Sequence, residues 1–436
     1  MTERREMKAD PKLWLVISRP DRLPNALVAA GALRERFPGG IHLLREESKW
    51  WENANWQPYA DEFTEVHAFR KIKTCRGLKD LPRLYRENVD RQREVGALPI
   101  KAETDVLLCV AGLLGLGNAA LSAHPDVYKI LCVSPKAYSE LTRRGDRARF
   151  RFTTSGWLQN RLVEPLAGLE RTVHYKPRIN PGGDGVRLRR LQKDPDKLFD
   201  MIILMSNTGR ELPPDADERI IPAHFPSIAE LRDFSTKQTT NNGQDRHRRV
   251  IFFGTPFLLV RNLSPEVYVE HLNACLDYIR RHYAGCDLIY RPHPVETKEA
   301  DRLKLEGFRI ENDREVADLY FLRHFAEIEA VYSVSSTVSR TALNNGLNSY
   351  SLWRRFPFSE TQAQFFEKVM GDVPPEFDIR DLTKPPIAYQ DRQNRPDNAN
   401  SFTQALNRAV DMRRRIGDRI YRRDGILEKT KSRKSC

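Results

Sequence analysis

Short apolar runs recur along this chain at spacings that leave room for one helix between each pair. That rhythm restricts the fold more than any other feature. LWLVISRP (13–20) reads as a strand ending in a turn, NALVAAGALRERF (25–37) has helical apolar spacing, and GIHLLRE (40–46) reads as the next strand. FTEVHAF (63–69), DVLLCVAG (105–112) and VYKILCVSP (127–135) continue the series. Strands that alternate with helices predict an α/β chain with a mostly parallel sheet covered on both faces.

The rhythm stops at STKQTTNNGQDRHRR (235–249), which has almost no apolar content, and restarts at VIFFGTP (250–256). Beyond it come an amphipathic helix (267–283), a strand with its tip in CDLIYRPHP, a short strand FRIEND (308–313), a helix (315–325) and a strand IEAVYSVSS (328–336). A short helix TVSRTALNN (337–345) is closed by Gly346, a normal helix stop, and NSYSLW (348–353) adds a strand. This predicts two Rossmann-like lobes facing a cleft. Residues 1–234 form the first lobe, 235–249 the linker, 250–400 the second lobe and 401–436 a basic C-terminal helix and tail.

The chain has 436 residues, of which 40% are hydrophobic, enough for two real cores and too many for a disordered chain. No two of its six cysteines show CxxC spacing, and Cys109 and Cys132 sit inside strand-like runs. That argues against a disulfide framework or a zinc site on cysteines, and for a reducing cytosol. The charged N-terminus MTERREMKADPKLW has no secretory h-region. The most apolar stretch, DVLLCVAGLLGLGNAALSA (105–123), is interrupted by three glycines and Asn118. It reads as strand, glycine loop and helix start rather than a membrane span. A net charge of +13 favours anionic partners: nucleic acid, acidic lipid, or phosphorylated and carboxylated substrates.

In open α/β sheets, ligands bind beyond the carboxyl ends of the strands. The second lobe has three polar tips there. The first gives Gly254, Thr255 and Pro256, the second Arg291, His293 and Pro294, and the third Ser333, Ser335, Ser336, Thr337 and Arg340, running into a helix. N–H groups at a helix start, with serine and threonine hydroxyls, form an anion site, while Ser335 or Ser336 acting only as an N-cap is the plainer alternative. Two prolines leave the His293 imidazole little freedom, which suits it to meet the charge of a departing phosphate. Arg291 can add positive charge there or pair with a carboxylate.

These residues resemble the bacterial sialyltransferase and polysialyltransferase group of GT-B glycosyltransferases. The likeness covers residues 250–350 and rests on His293-Pro294, on Ser335-Ser336, and on the run from VIFFGTP to YRPHP that holds Tyr268. It implies a GT-B-like fold and an inverting transfer of an acidic sugar, sialic acid or a Kdo-like relative, from a CMP-sugar to a capsule, lipooligosaccharide or O-antigen acceptor. His293 and the serine tip would contact the donor phosphate. The group's acidic Asp/Glu-Asp/Glu-Gly motif, source of the general base, has no clean copy. Asp184-Gly185 in NPGGDGV matches only its second half, ordinary turn chemistry is the favoured explanation of that pair, and Glu46 and Glu47 are further options. The resemblance implies a reaction that does without a DxD-bound cation, so no cofactor is expected to be required and magnesium would assist only loosely.

GLLGLGNAA (112–120) has the wrong glycine spacing for a dinucleotide fingerprint and reads as a close-approach loop. The basic run RRGDRARFRF (143–152) suits an anionic acceptor or a solvated loop. The tail 411–436, with Met412, Ile416, Ile420 and Ile426 as candidates for one stripe, suits an anionic membrane surface at the inner face of the plasma membrane, or a helix packed across the lobes. Three other functions compete. A CDP-glycerol or CDP-ribitol type phosphotransferase would carry an aspartate after the serine tip, which SSTVSRTAL lacks. A nucleic-acid-binding protein fits the charge, but no specific nucleic-acid motif is recognisable. A degenerate transferase would explain the missing acidic motif.

Overall fold

The computed structural model describes residues 10–52, 54–72, 81–110, 116–134, 175–179, 186–190, 199–206, 218–234, 248–255, 263–293, 296, 301–313, 315–370, 374–388 and 401–413. Its strands are β1 (Leu13–Ile17), β2 (Ile41–Glu47), β3 (Glu65–Arg70), β4 (Val106–Val110), β5 (Tyr128–Val133), β6 (Tyr175–Ile179), β7 (Val186–Arg190), β8 (Met201–Ser206), β9 (Ile220–His224), β10 (Arg249–Phe253), β11 (Asp287–Arg291), β12 (Phe308–Ile310), β13 (Ile328–Ser333) and β14 (Ser349–Ser351).

Two parallel sheets result. The first has the order β3-β2-β1-β4-β5-β8-β9, the second β12-β11-β10-β13-β14, and β6 and β7 form a separate antiparallel hairpin. Both sheets place their first strand centrally and wind outwards, so the chain consists of the two Rossmann-like α/β lobes its rhythm predicts. Strands β1, β4 and β5 are buried at every position because helices cover both faces, which is why they read as continuous apolar runs.

Local signals set the helix bounds. The helix Pro265–His282 starts at Ser264, whose Oγ accepts a hydrogen bond from Val267 N at 3.3 Å, and it has Pro265 in its first turn. Its last turn carries Arg280, Arg281 and His282, which suit the negative end of the helix dipole. The helix Thr337–Asn344 ends before Gly346 at φ +76°, as expected for a stop in the left-handed region.

The sequence reading assigned no strand to β8 or β9. MIILMS is as apolar as LWLVI, but IIPAH contains Pro222, which counts against a central strand. The sheet accommodates it because β9 is an edge. The helices Leu81–Gly96 and Glu360–Met370 and the β6–β7 hairpin were also not anticipated.

The first sheet ends at His224 and the second begins at Arg249; of the expected linker, 235–247 lie outside the described residues. A helix over 402–413 returns to the first lobe. Phe402, Leu406 and Ala409 are buried, the Tyr128 hydroxyl donates to the Ala409 carbonyl at 2.9 Å, and Arg36 pairs with Asp411 at 2.7 Å. One apolar cluster therefore runs through both lobes, from Leu13, Leu15 and Ile17 to Ile251, Phe253 and Leu319, and takes in Phe402. Of the tail stripe, Met412 packs against this cluster, while Ile416, Ile420 and Ile426 lie outside the described residues. Among the described residues no helix is long and apolar enough to cross a membrane. The stretch 105–123 contains strand β4 and the helix Leu116–Ala123, with 111–115 outside the described residues. The buried cysteines Cys109, Cys132 and Cys275 are free thiols.

Candidate functional site

Register brings the three polar tips together. Phe253 of β10 pairs with Arg291 of β11 on one side and Ser333 of β13 on the other. Two residues further along lie Thr255, His293 and Ser335, one row at the carboxyl edge of the sheet. Neighbouring strands lie about 4.8 Å apart, so the His293 and Ser335 tips flank Thr255 across about 10 Å. That span suits a phosphate and the groups bonded to it.

Two hydroxyls in this row have no hydrogen-bond partner. Thr255 Oγ1 and Ser335 Oγ are buried and unsatisfied among the described residues. Buried orphan hydroxyls are costly, typically about 1–3 kcal/mol each, which a ligand oxygen would relieve. Ser336 does cap the helix Thr337–Asn344, accepting from Val338 N at 3.3 Å. Its own N–H donates to Ser333 Oγ at 3.0 Å, and Ser333 Oγ meets Ser339 Oγ at 2.6 Å inside the lobe. These bonds fix the turn from which Thr337 opens the helix, with the positive end of the helix dipole at the sheet edge.

The posture of His293 comes from a residue the sequence reading passed over. Glu296 Oε2 accepts from His293 N at 2.8 Å, while Glu296 N donates to the His293 carbonyl at 2.8 Å. The hydroxyl of buried Tyr290 holds the other carboxylate oxygen. The signal was available in HPVE, a carboxylate close enough in sequence to cap the tip. Burial raises the Glu296 pKa, and its bonds from Tyr290 and His293 oppose the rise. Burial lowers the His293 pKa below 6.5, so the imidazole is neutral at pH 7. Gly254 is required beside this turn. Its N–H donates to the Arg291 carbonyl at 2.8 Å, and an added Cβ would collide with the Glu296 carboxylate and lie 2.9 Å from His293 N.

Arg291 takes the second of its two anticipated roles. Only 5% exposed, it places Nη2 2.6 Å from Asp313 Oδ1, donates to the Glu315 carbonyl at 3.1 Å and stacks over Tyr320 at 3.9 Å. Its charge is spent within the lobe, which removes it from the phosphate-binding set. The alternation of β11 explains this: Tyr290 turns its side chain to one face and Arg291 to the other. Pro256 and Pro294 lie outside the described residues.

The carboxylates expected to supply a base fare differently. Asp184, between β6 and β7, lies outside the described residues, and so does the basic run 143–152, between β5 and β6. Glu46 is committed to buried Arg91 at 3.2 Å, and Glu47 is exposed at the end of β2. Two carboxylates not singled out in the sequence stand where the lobes meet. Asp21 follows β1 and sits 3.0 Å from Arg19 and 3.6 Å from Arg22. Asp318 lies in the first turn of the helix Ala317–His324, with its pKa pushed up to about 6 by burial; Arg22 opposes the rise and Asp21 adds to it.

No family model matches the chain, and no curated protein matches it. Solved structures of similar arrangement include UDP-GlcNAc 2-epimerase from Neisseria meningitidis bound to UDP-GlcNAc, at 11% identity over 92% of this chain and 99% of that chain, TM-score 0.48. The calicheamicin glycosyltransferase CalG4 matches at 10% identity over 95% and 98%, TM-score 0.44. An α/β-galactoside α-2,3-sialyltransferase from Photobacterium phosphoreum matches at 11% identity over 84% and 97%, TM-score 0.44. At these identities the likeness is one of fold.

Proposed function

We propose that this chain is a GT-B glycosyltransferase that moves an acidic sugar from a CMP-sugar to a surface glycan or glycolipid acceptor, with inversion. The observation that supports this reading is the row of tips itself: a braced imidazole, two buried hydroxyls without partners and a capped helix start on one sheet edge. In the proposed reaction an acceptor hydroxyl attacks the anomeric carbon as its proton passes to a carboxylate. The bond between that carbon and the phosphate oxygen breaks, and the electron pair leaves with CMP. Ser335, Thr255 and the Thr337 N–H at the helix start receive the phosphate, and the neutral His293 donates a hydrogen bond to it. Asp318, with its pKa near 6, joins Asp184 as the candidate base, since a carboxylate raised toward neutrality takes a proton more readily than an ordinary one.

Calorimetric titration with CMP, CDP, UDP and GDP tests this, using the wild type, His293→Ala and Ser335→Ala. CMP-selective binding, weakened about ten-fold or more in both variants, is the expected result. Binding of UDP or GDP alone overturns the donor assignment, and binding of no nucleotide overturns the transferase reading.

A further inference from the structure

A second cluster lies at the opposite end of the first sheet. β2 and β3 run parallel there, with His42 opposite Glu65 and Leu44 opposite His67. Strand alternation puts Glu65 and His67 on one face of β3, and the register puts His42 on the same face. His42 Nδ1 lies 3.4 Å from His67 Nε2 and 3.5 Å from Glu65 Oε2, and His67 Nε2 lies 3.3 Å from that same oxygen. The three ligand atoms form a nearly equilateral triangle. Zinc bonds of about 2.0–2.1 Å at tetrahedral angles put neighbouring ligand atoms about 3.3–3.4 Å apart. We propose that His42, Glu65 and His67 bind one divalent transition-metal ion of the zinc class, with water in the fourth position.

The surroundings suit that role. His42 is 4% exposed and stacks on Trp14 at 4.2 Å, and the Trp14 indole is itself fixed by its Nε1–H to Asp105 Oδ2 at 3.0 Å. One ligand is therefore rigid. The Glu65 side chain, 58% exposed, and His67 near the surface are free to close on an ion and leave its fourth position open to solvent. Two imidazoles and a carboxylate select zinc, copper or nickel over magnesium or calcium. Lys12 is a cost to any bound cation, moderated because its ammonium lies over the Trp14 ring, 5.8 Å from the centroid.

His42 is near the amino end of β2 and Glu65 begins β3, so the ion sits far from the carboxyl-edge tips. β3 is an edge strand. Its chemistry is that of a clasp joining the edge strand to β2, and its effect falls on stability, independently of the transferase reading.

The test uses the chelator-treated full-length chain titrated with Co²⁺ and then Zn²⁺. The expected result is one equivalent of Co²⁺ with the intense visible bands of a tetrahedral site, displacement by Zn²⁺, and a melting temperature raised by a few degrees with Zn²⁺ but unmoved by Mg²⁺. Glu65→Ala and His67→Ala, both at the rim, should each weaken uptake at least about ten-fold while keeping the wild-type circular dichroism. No uptake, a weak octahedral-type spectrum, or uptake unchanged by both substitutions overturns the proposal.

Discussion

A carboxylate three residues beyond His293 sets the posture of that imidazole. Glu296 accepts from the His293 N–H with one oxygen and from the Tyr290 hydroxyl with the other. A glutamine has one carbonyl oxygen and cannot accept both bonds. Glu296→Gln should therefore keep the fold and loosen the tip, lowering CMP affinity about ten-fold with little change in circular dichroism. Unchanged affinity would show that His293 is held by its prolines alone. Arg291 illustrates the opposite case at the same tip. An arginine beside a presumed anion site invites a phosphate role, yet it is consumed by Asp313 and Glu315. Its fate was unreadable because its partners come from the segment after β12, outside the strand that carries it.

At the scale of elements, parallel pairing does most of the positioning. β10 lies between β11 and β13, so its tip has the His293 turn on one side and the serine turn on the other. Gly254 is where this close packing leaves no room for a side chain. Gly254→Ala should push the Glu296 turn away, destabilise the second lobe by about 1–3 kcal/mol in urea denaturation, and weaken CMP binding together with stability. Stability at the wild-type level would mean that the turn yields freely. The small hydroxyls after β13 have a similar logic. Ser333 and Ser339 satisfy each other in the interior, Ser336 caps, and only Ser335 remains unmatched among these four. In the sequence Ser333, Ser335 and Ser336 belong to one polar tip, and Ser339 was not singled out.

Across the whole molecule, the lobes share one apolar cluster and a set of charged contacts. Ile228 N donates to Asn345 Oδ1 at 2.7 Å, and Tyr59 of the first lobe lies beside Glu315 and Arg323 of the second, where burial, then Glu315, raise its pKa. Asp318 faces Asp21 and Arg22 across the same junction. Its folded pKa, about 6, stands above the ordinary 3.8, so the folded state holds this proton more tightly than the unfolded chain. Its stabilisation is complete below 3.8 and is lost as pH rises through about 6. Asp318→Asn lacks that titration. Relative to the variant, the wild type should lose melting temperature between pH 4 and pH 6.5, and parallel curves over that range would place Asp318 in water instead.

The apolar rhythm alone determined the class of fold, the two lobes and most strands of both sheets, because parallel strands covered on both faces must be continuously apolar and must be joined by helices. The strand tips were legible for the same reason: polar residues directly after buried runs have one edge to occupy. Tertiary structure decided which of those residues still lack a partner, which lobe the C-terminal helix covers, and that His42 meets Glu65 and His67. Such facts depend on register and on contacts between segments far apart in the chain, and a one-residue slip between β2 and β3 would move Glu65 and His67 to the opposite face from His42.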